Sequence, residues 1–346
     1  MKRSILSNVL AAICVLALVT SLFQAKALAS DPVLVEAAKK EGKFVLYTSL
    51  PTDAAVALLT AFKEKYPFLD TSEFFRSTSY KTYSRFNIEA EAGKHIADCV
   101  SIALWHPYPE WKKKGWLMKY DSPNYKDIPK AVQDPGYFSA LRAVSMVMAY
   151  NTTILSKSDI PKTWTDLLDP KWKGQIGVEG TDSGSQHMQY YLFRKVYGED
   201  YWGKLLNNEP RIFSGQGAMF TALLRGEIKV TMHGQGYMIY RYRELEGAPI
   251  QGVWPADCVP MYAGPVALTA TAPHTNAAKL FMDWILSKEG QQAMVKNVGA
   301  YSPRTDVDPA KGNPPMKSFK PVFIEDWDAF GKSTDAFKKA WEQIKR

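Results

Sequence analysis

Histidine and cysteine are scarce in this chain of 346 residues, which contains five histidines and three cysteines. No pair of histidines has the H-x-x-x-H spacing of a helical zinc site. A Walker-type loop is absent, and so is a dinucleotide-binding G-x-G-x-x-G loop after a predicted strand. The chain also lacks a Lys/Arg-rich block or a repeated aromatic–basic pattern of the kind that follows nucleic acid. The common sequence signs of zinc, nucleotide and nucleic-acid binding are therefore missing.

Long apolar runs are confined to the N-terminus. Lys2 and Arg3 precede an apolar run over residues 9–23, and Ala27-Leu28-Ala29 offers the small-x-small pattern of a signal-peptidase site. The run is shorter than the roughly 20 residues that span a bilayer. We therefore expect residues 1–29 to be a signal peptide cleaved after Ala29, which places the mature protein in the periplasm. An uncleaved anchor is the alternative, and Cys14 lies too deep in the apolar run for a lipoprotein.

Charge and cysteine usage narrow the class of protein. The full chain carries a net charge of +8, and loss of residues 1–29, with three cations and no acid, lowers it to +5. That balance suits mildly anionic partners. Cys99 and Cys258 remain, and a single bridge is conceivable in an oxidising compartment. We expect two separate buried thiols, because two cysteines do not make a disulfide framework.

The mature region alternates short apolar runs with amphipathic stretches, which indicates an α/β fold. About 317 residues usually divide into two lobes. Gly93 is expected to end a helix, since a residue without a side chain suits a C-terminal cap. Helices are predicted over 53–66, 186–206, 219–224 and 276–295, strands over 43–47, 71–75, 98–104, 142–150, 175–179, 228–232 and 265–270, and an irregular loop over 306–320.

Five predicted strands end in small hydroxyl, amide or glycine residues just before a helix. In an open α/β sheet, ligands bind beyond the carboxyl ends of the strands, where helix N-termini favour negative charge. Plain N-capping explains one such stretch, but five together predict a binding cleft. The stretches are Thr48-Ser49, Ser77-Thr78-Ser79, Ser183-Gly184-Ser185, Ser214-Gly215-Gln216-Gly217 and His233-Gly234-Gln235-Gly236.

Signs of catalysis are weak. Asp182-Ser183-Gly184 resembles the surroundings of a serine nucleophile, but no strand–turn G-x-S-x-G elbow is present. We expect a protein that is not an enzyme, with a secreted hydrolase that uses Ser183 or Ser185 as the alternative. Trp105 ends a predicted strand and could form a wall of the cleft, and His233 at another strand end could contact a ligand.

The order of several short blocks resembles the extracellular solute-binding proteins of ABC importers, in the ferric-iron and organophosphate branch of the type II periplasmic binding proteins. The blocks extend over nearly the whole mature chain, and their order is more specific than any one of them. They are Ala37-Ala38-Lys39-Lys40-Glu41-Gly42, Ala61-Phe62-Lys63-Glu64-Lys65-Tyr66-Pro67, Glu89-Ala90-Glu91-Ala92-Gly93, Ala149-Tyr150-Asn151-Thr152, Leu167-Leu168-Asp169-Pro170-Lys171-Trp172-Lys173-Gly174, Ala277-Ala278-Lys279-Leu280-Phe281 and Leu286-Ser287-Lys288-Glu289-Gly290-Gln291.

The resemblance implies two α/β lobes with a hinged cleft between them, and a closed form that docks on an inner-membrane permease. It places lobe one at 30–143 and 259–300, and lobe two at 144–258 and 301–346. We expect a monomer that takes a small-molecule ligand and has no cofactor, no resident metal and no nucleic-acid partner. A sensor that presents its ligand to a membrane receptor is a further hypothesis.

The ligand is expected to be a small organic anion, such as a phosphonate, a phosphate ester or a carboxylate. Ferric-binding relatives carry adjacent tyrosines at the position of Tyr237 and Met238, so the tyrosine pair is broken here, and a ferric-ion receptor is the alternative. Arg76 or Arg304 could form a bidentate link to the anion, although Arg304 could equally form a structural ion pair between the lobes. The predicted ligand-binding residues are Thr48, Ser49, Arg76, Ser79, Trp105, Ser183, Ser185, Gln216, His233, Gln235, Tyr237 and Arg304.

Overall fold

The computed structural model describes residues 31–344, and the predicted signal peptide lies outside these residues. The strands are β1 (Leu46–Thr48), β2 (Phe74–Arg76), β3 (Cys99–Ser101), β4 (Gln133–Asp134), β5 (Phe138–Asn151), β6 (Ile176–Glu179), β7 (Arg211–Phe213), β8 (Val230–Gln235), β9 (Ile250–Val253), β10 (Val259–Leu268) and β11 (Pro321–Val322). The α-helices are α1 (Pro32–Glu41), α2 (Thr52–Lys65), α3 (Ser79–Glu91), α4 (Pro107–Lys113), α5 (Gly184–Tyr197), α6 (Asp200–Leu206), α7 (Gln216–Leu224), α8 (Gly236–Tyr240), α9 (Thr275–Leu286), α10 (Lys288–Val298), α11 (Trp327–Lys332) and α12 (Thr334–Ile344).

The strands form one mixed sheet in the order β2-β1-β3-β10-β5-β8-β6-β7. The 14 residues of β5 are buried throughout, as a central strand requires. Residues 138–145 of β5 pair antiparallel with β10, and residues 146–150 pair antiparallel with β8. Because β2, β1 and β3 run parallel at one end and β8, β6 and β7 run parallel at the other, β5 joins two α/β halves.

Helices from late in the chain pack on both halves. Helix α9 packs against α1, and α10 packs against α2, beside the half that holds β1. Helix α12 packs against α5 and α6, beside the half that holds β6. The chain therefore crosses between the halves more than once, and the residue limits of the two lobes stay a prediction.

Several local expectations are confirmed and others need correction. Gly93 follows α3 with φ +64°, in the left-handed region that glycine tolerates. The single helix predicted over 186–206 is wrong: Gly198, at φ +84°, ends α5 before α6 begins. The helix predicted over 276–295 is also two helices, because Ser287 adopts an extended backbone and its hydroxyl accepts a hydrogen bond from the Gly290 N–H at the start of α10.

Cys99 and Cys258 are separate buried thiols. Cys99 belongs to the core cluster around β1 and β3, and Cys258 belongs to the cluster around β6 and α5. Within residues 31–344, no helix combines the length and apolar composition needed to cross a membrane.

Candidate functional site

A cavity of about 480 Å³ lies where the two halves of the sheet meet. All five polar strand ends contribute to its wall, although they come from distant parts of the chain. The contributing residues are Ser49, then Thr78 and Ser79, then Ser183, Gly184 and Ser185, then Ser214, Gly215, Gln216 and Gly217, and finally Gln235. The parallel strands β1, β2, β6 and β7 and strand β8 thus bring together hydroxyl and amide groups at one place.

Four helices of nine or more residues begin at this cavity. They are α2, α3, α5 and α7, and residues of the first turn of each line the wall. Ser183 caps α5 by accepting the Gln186 N–H at 3.2 Å. The remaining N–H groups at helix N-termini have no partner within the helix, and the helix dipole adds positive potential there. The cavity wall is therefore suited to negative charge.

Eight of the twelve predicted ligand-binding residues line the cavity. Ser49 lies at its edge, and its Oγ accepts the Ala103 N–H at 3.0 Å. Gln235 donates to the Ser185 Oγ at 2.8 Å, which holds both side chains in place. The eight are Ser49, Arg76, Ser79, Ser183, Ser185, Gln216, Gln235 and Tyr237.

Four predicted residues lie outside the cavity wall. Thr48 is fully buried, and its Oγ1 accepts the Leu50 N–H at 3.1 Å. Trp105 packs against Phe138 and Trp327 instead of facing the cavity. These two side chains belong to the packing around the site.

His233 and Arg304 are the other two. His233 is fully buried behind the wall, where it contacts Ser185 and so supports a lining residue. Arg304 lies in a different part of the molecule, with hydrogen-bonded ion pairs to Asp306 at 2.8 and 3.0 Å and to Asp127 at 3.1 Å. Arg304 is therefore held by structural ion pairs away from the cavity.

Sequence reasoning missed several lining residues, of which Asp53, Glu179 and Tyr262 matter most. Glu179 is the last residue of a predicted buried strand, and an acid in that position was a usable signal. Asp53 looked like an ordinary acid in the first turn of a helix. Tyr262 comes from β10, which begins at Val259, six residues before the strand predicted at 265–270.

Glu179 is the centre of a buried polar network. Its Oε2 accepts hydrogen bonds from the Ser183 hydroxyl at 2.9 Å and from Gln216 Nε2 at 3.0 Å, and His233 Nε2 lies at 3.0 Å. Burial by itself would raise the pKa of Glu179, but the hydrogen bonds and the charge of His233 outweigh burial and lower this pKa. Glu179 is thus an ionised carboxylate, and its Oε1 accepts no hydrogen bond from the described part of the chain.

The geometry around Ser185 differs from that of a serine hydrolase. The Ser185 Oγ lies 3.0 Å from His233 Nε2, the same nitrogen that faces Glu179. His233 Nδ1 instead faces Gln189 Oε1 at 3.1 Å. In a Ser-His-acid triad the acid holds the nitrogen that the serine does not use. Glu179 cannot orient His233 in that way.

Arg76 is a positively charged residue of the cavity wall that has no acidic partner among residues 31–344. Asp53 pairs with Arg241 at 2.7 Å, and Glu179 pairs with His233. Arg76 donates its Nε–H to the Leu50 carbonyl at 2.9 Å and forms no ion pair with any residue of 31–344. The guanidinium nitrogens of Arg76 beyond Nε are thus available at the cavity.

The two sides of the cavity touch each other at its mouth. A Cβ added at Gly184 would lie 2.9 Å from Leu104 Cδ2 and 3.1 Å from Ser79 Cβ. Lys81 reaches Asp182 at 3.2 Å, and the Tyr80 hydroxyl lies 2.7 Å from His187 Nδ1. The structure is therefore a closed form, with α3 against the start of α5.

The chain is similar to several known bacterial binding proteins. Residues 108–333 match the family model described as bacterial extracellular solute-binding protein. The periplasmic binding protein AfuA of Actinobacillus pleuropneumoniae, solved with exogenous fructose-6-phosphate bound, is 28% identical, with a TM-score of 0.74 over 88% of this chain and 99% of that one. A probable ABC transporter periplasmic-binding protein of Sinorhizobium fredii is 25% identical over 65% of this chain and 66% of its own length. The major ferric iron-binding protein of Neisseria meningitidis is 28% identical over 49% of this chain and 53% of its own length.

Proposed function

This chain belongs to the family of bacterial extracellular solute-binding proteins, and from that membership we propose that its cavity captures a small organic anion for an ABC-type importer. The fold is the two-lobed α/β fold of periplasmic binding proteins. The anion is a phosphate ester, a phosphonate or a carboxylate. The ligand is bound and released without chemical change, and the closed form delivers it to a permease in the inner membrane.

One observation carries the choice of an anion. Asp53 on the wall is paired with Arg241, and Glu179 Oε2 lies in a hydrogen-bonded network with Ser183, Gln216 and His233, whereas Arg76 has no acid. Arg76 and the helix N-termini thus present positive potential to the cavity. A bound phosphate or carboxylate would supply the missing negative charge and could accept two parallel hydrogen bonds from a guanidinium.

The rest of the cavity favours an organic ligand with hydrogen-bond donors. Glu179 Oε1 is an ionised oxygen with no donor from the described residues, and a hydroxyl or an amine of the ligand would satisfy it. Tyr237 and Tyr242 add aromatic surface to the wall. The relative solved with fructose-6-phosphate supports a ligand that combines an anionic end with hydroxyl groups.

A ferric-ion receptor is the second candidate, and the similarity to the Neisseria meningitidis protein favours it. Ferric iron prefers anionic oxygen ligands, so tyrosines would have to lose their protons. Burial raises the pKa of Tyr237 well above its ordinary value and also raises the pKa of Tyr262. No group of three or more His, Cys, Asp and Glu side chains suited to a metal occurs among residues 31–344. Protonated phenols donate hydrogen bonds, which suits an anion better.

We further propose that the mature protein begins after Ala29 and acts in the periplasm as a monomer. Membership of an extracellular binding-protein family supports export. The N-terminal sequence of protein purified from the periplasmic fraction tests the cleavage site, with Ser30 expected as the first residue.

Isothermal titration calorimetry distinguishes the two ligand classes. Purified protein is titrated with fructose 6-phosphate, fructose, inorganic phosphate and ferric citrate, and native mass spectrometry identifies any molecule retained from the host. We expect binding of the sugar phosphate and much weaker binding of fructose. Tight binding of ferric iron with a visible charge-transfer band, and none of the organic anion, would replace the first candidate with the second.

A further inference from the structure

We propose that Arg142 is a buried positive charge that holds the ligand anion at the floor of the cavity, acting through the hydroxyl of Tyr262. This inference rests on the proposed function, because it assigns a further residue to the same anion site. Arg142 would be a positioning residue, since it stands behind the wall and acts through its neighbour.

The surroundings of Arg142 are unusual for a guanidinium. Arg142 lies in the middle of β5 and is only 1% exposed. Its Nε and Nη1 have no hydrogen-bond partner, and its guanidinium forms no ion pair within residues 31–344. Gly264 pairs with it on β10, and a Cβ at Gly264 would meet Arg142 Cζ at 3.4 Å, so the glycine leaves room for the side chain.

An unpaired buried charge such as that of Arg142 destabilises the folded protein unless a group of opposite charge or a hydrogen-bond acceptor compensates it. Buried ions are normally paired, and replacement of a poorly compensated one by an apolar side chain is often neutral or stabilising. The serine hydroxyls of Ser101, Ser139 and Ser145 are also buried without a partner. A core that served packing alone would have little reason to keep an unpaired guanidinium and these unpartnered hydroxyls.

Tyr262 connects Arg142 to the cavity. Tyr262 lies two residues before Gly264 on β10, so it shares the sheet face with Arg142, and its ring lines the cavity. Burial raises the pKa of Tyr262, while the positive charge of Arg142 acts in the opposite direction. Because Arg142 and Tyr262 share one face on adjacent strands, the guanidinium is placed to donate to the phenol oxygen, which would leave the phenol proton for an anion in the cavity.

The positive charge of Arg142 also affects Tyr237, a second tyrosine of the cavity wall. The positive charges of Arg142 and Arg76 both act to lower the pKa of Tyr237, against the larger effect of burial. The two arginines thus act on the cavity from different sides, with Arg76 at the wall and Arg142 behind it. An anion between them would be attracted to both.

The test compares two buried arginines, of which Arg142 has no ion pair within residues 31–344 and Arg304 is paired with two acids. Arg142→Met removes an unpaired charge, and Arg304→Met removes a charge that is 7% exposed and bonded to Asp127 and Asp306. We expect Arg142→Met to keep or raise the melting temperature of the ligand-free protein and to weaken fructose 6-phosphate binding about 10- to 100-fold. Arg304→Met should lower the melting temperature and leave that affinity unchanged.

Tyr262→Phe gives an independent measurement should Arg142→Met fail to fold. It should weaken the same probe, and the Arg142→Met/Tyr262→Phe double variant should lose less than the two single losses combined, since both act through one hydroxyl. Arg142→Lys should recover part of the affinity. Unchanged affinity in Arg142→Met or in Tyr262→Phe, or strictly additive losses, would overturn the inference while the anion receptor stands. Wild-type protein that binds none of the organic anions would overturn the proposed function itself.

Discussion

Gly184 is the point at which a single methyl group should hold the two lobes apart. It is the first residue of α5, and its Cα faces Leu104 and Ser79 across the mouth of the cavity. Its φ lies outside the left-handed region, so alanine fits the backbone of the helix. The variant Gly184→Ala therefore changes the contact between the lobes without straining the lobe that carries it.

The size of the effect follows from the distances. The new Cβ would lie 2.9 Å from Leu104 Cδ2, 3.1 Å from Ser79 Cβ and 3.2 Å from Leu104 Cγ. Carbon atoms in contact prefer about 3.5–4.0 Å, so the surfaces must separate by roughly half an ångström or more. Overpacking of this kind costs about 1–3 kcal/mol, and the cost applies only to the closed form. Ligand affinity should thus fall about 5- to 150-fold.

Gly217 provides a matched control. It also lines the cavity, near the start of α7, but a Cβ there would have no heavy atom within 4 Å. Calorimetry of Gly184→Ala and Gly217→Ala with fructose 6-phosphate, together with small-angle X-ray scattering of each complex, separates closure from simple loss of a glycine. Only the Gly184→Ala complex should show a larger radius of gyration than wild type.

Two results would refute this reasoning. One is a Gly184→Ala protein that binds as tightly as wild type, since closure would then not need the contact. The other is an equal loss in Gly217→Ala, which would trace the effect to local backbone changes. A lower melting temperature of ligand-free Gly184→Ala would also count against it, because the open form has no clash.

Three further predictions concern the cavity wall and His106. Arg76→Met should weaken fructose 6-phosphate binding by about 1.5–3 kcal/mol and leave fructose binding unchanged in calorimetry; an equal loss for both sugars would contradict a role in anion binding. Ser79→Ala and Ser185→Ala should each cost about 1–3 kcal/mol of binding to the same phosphate; unchanged affinity in both would place the site elsewhere. Burial lowers the pKa of His106 from 6.5 to about 4. Between these pH values the unfolded chain therefore binds a proton that the folded protein does not. The free energy of unfolding should fall by up to about 3 kcal/mol as the pH drops from 6.5 towards 4. His106→Leu, which removes a ring whose Nδ1 has no partner, should flatten that part of the melting-temperature profile; an unaltered slope would exclude His106 as its source.

Local patterns predicted much of the fold and the wall of the site. The five polar stretches after the strands could be recognised from neighbouring residues alone, and residues from all five line the cavity. The helix interruptions at Gly198 and Ser287 were harder to predict, because apolar residues continue at helical spacing on both sides of each break. Thr48 and Arg304 do not line the cavity, and the position of Arg304 depends on Asp127, which is distant in the sequence.

The sequence by itself determined the α/β class, the chemistry of the strand ends and the family, because alternation of apolar runs, capping residues and block order are local properties of the chain. Only the tertiary structure decided which polar groups line the cavity and which face each other. Arg142 shows the reason: nothing in the neighbouring residues reveals that its guanidinium lacks a partner. Pairing of charges and depth of burial depend on strands brought together from far apart, and these two quantities set the electrostatics of the site.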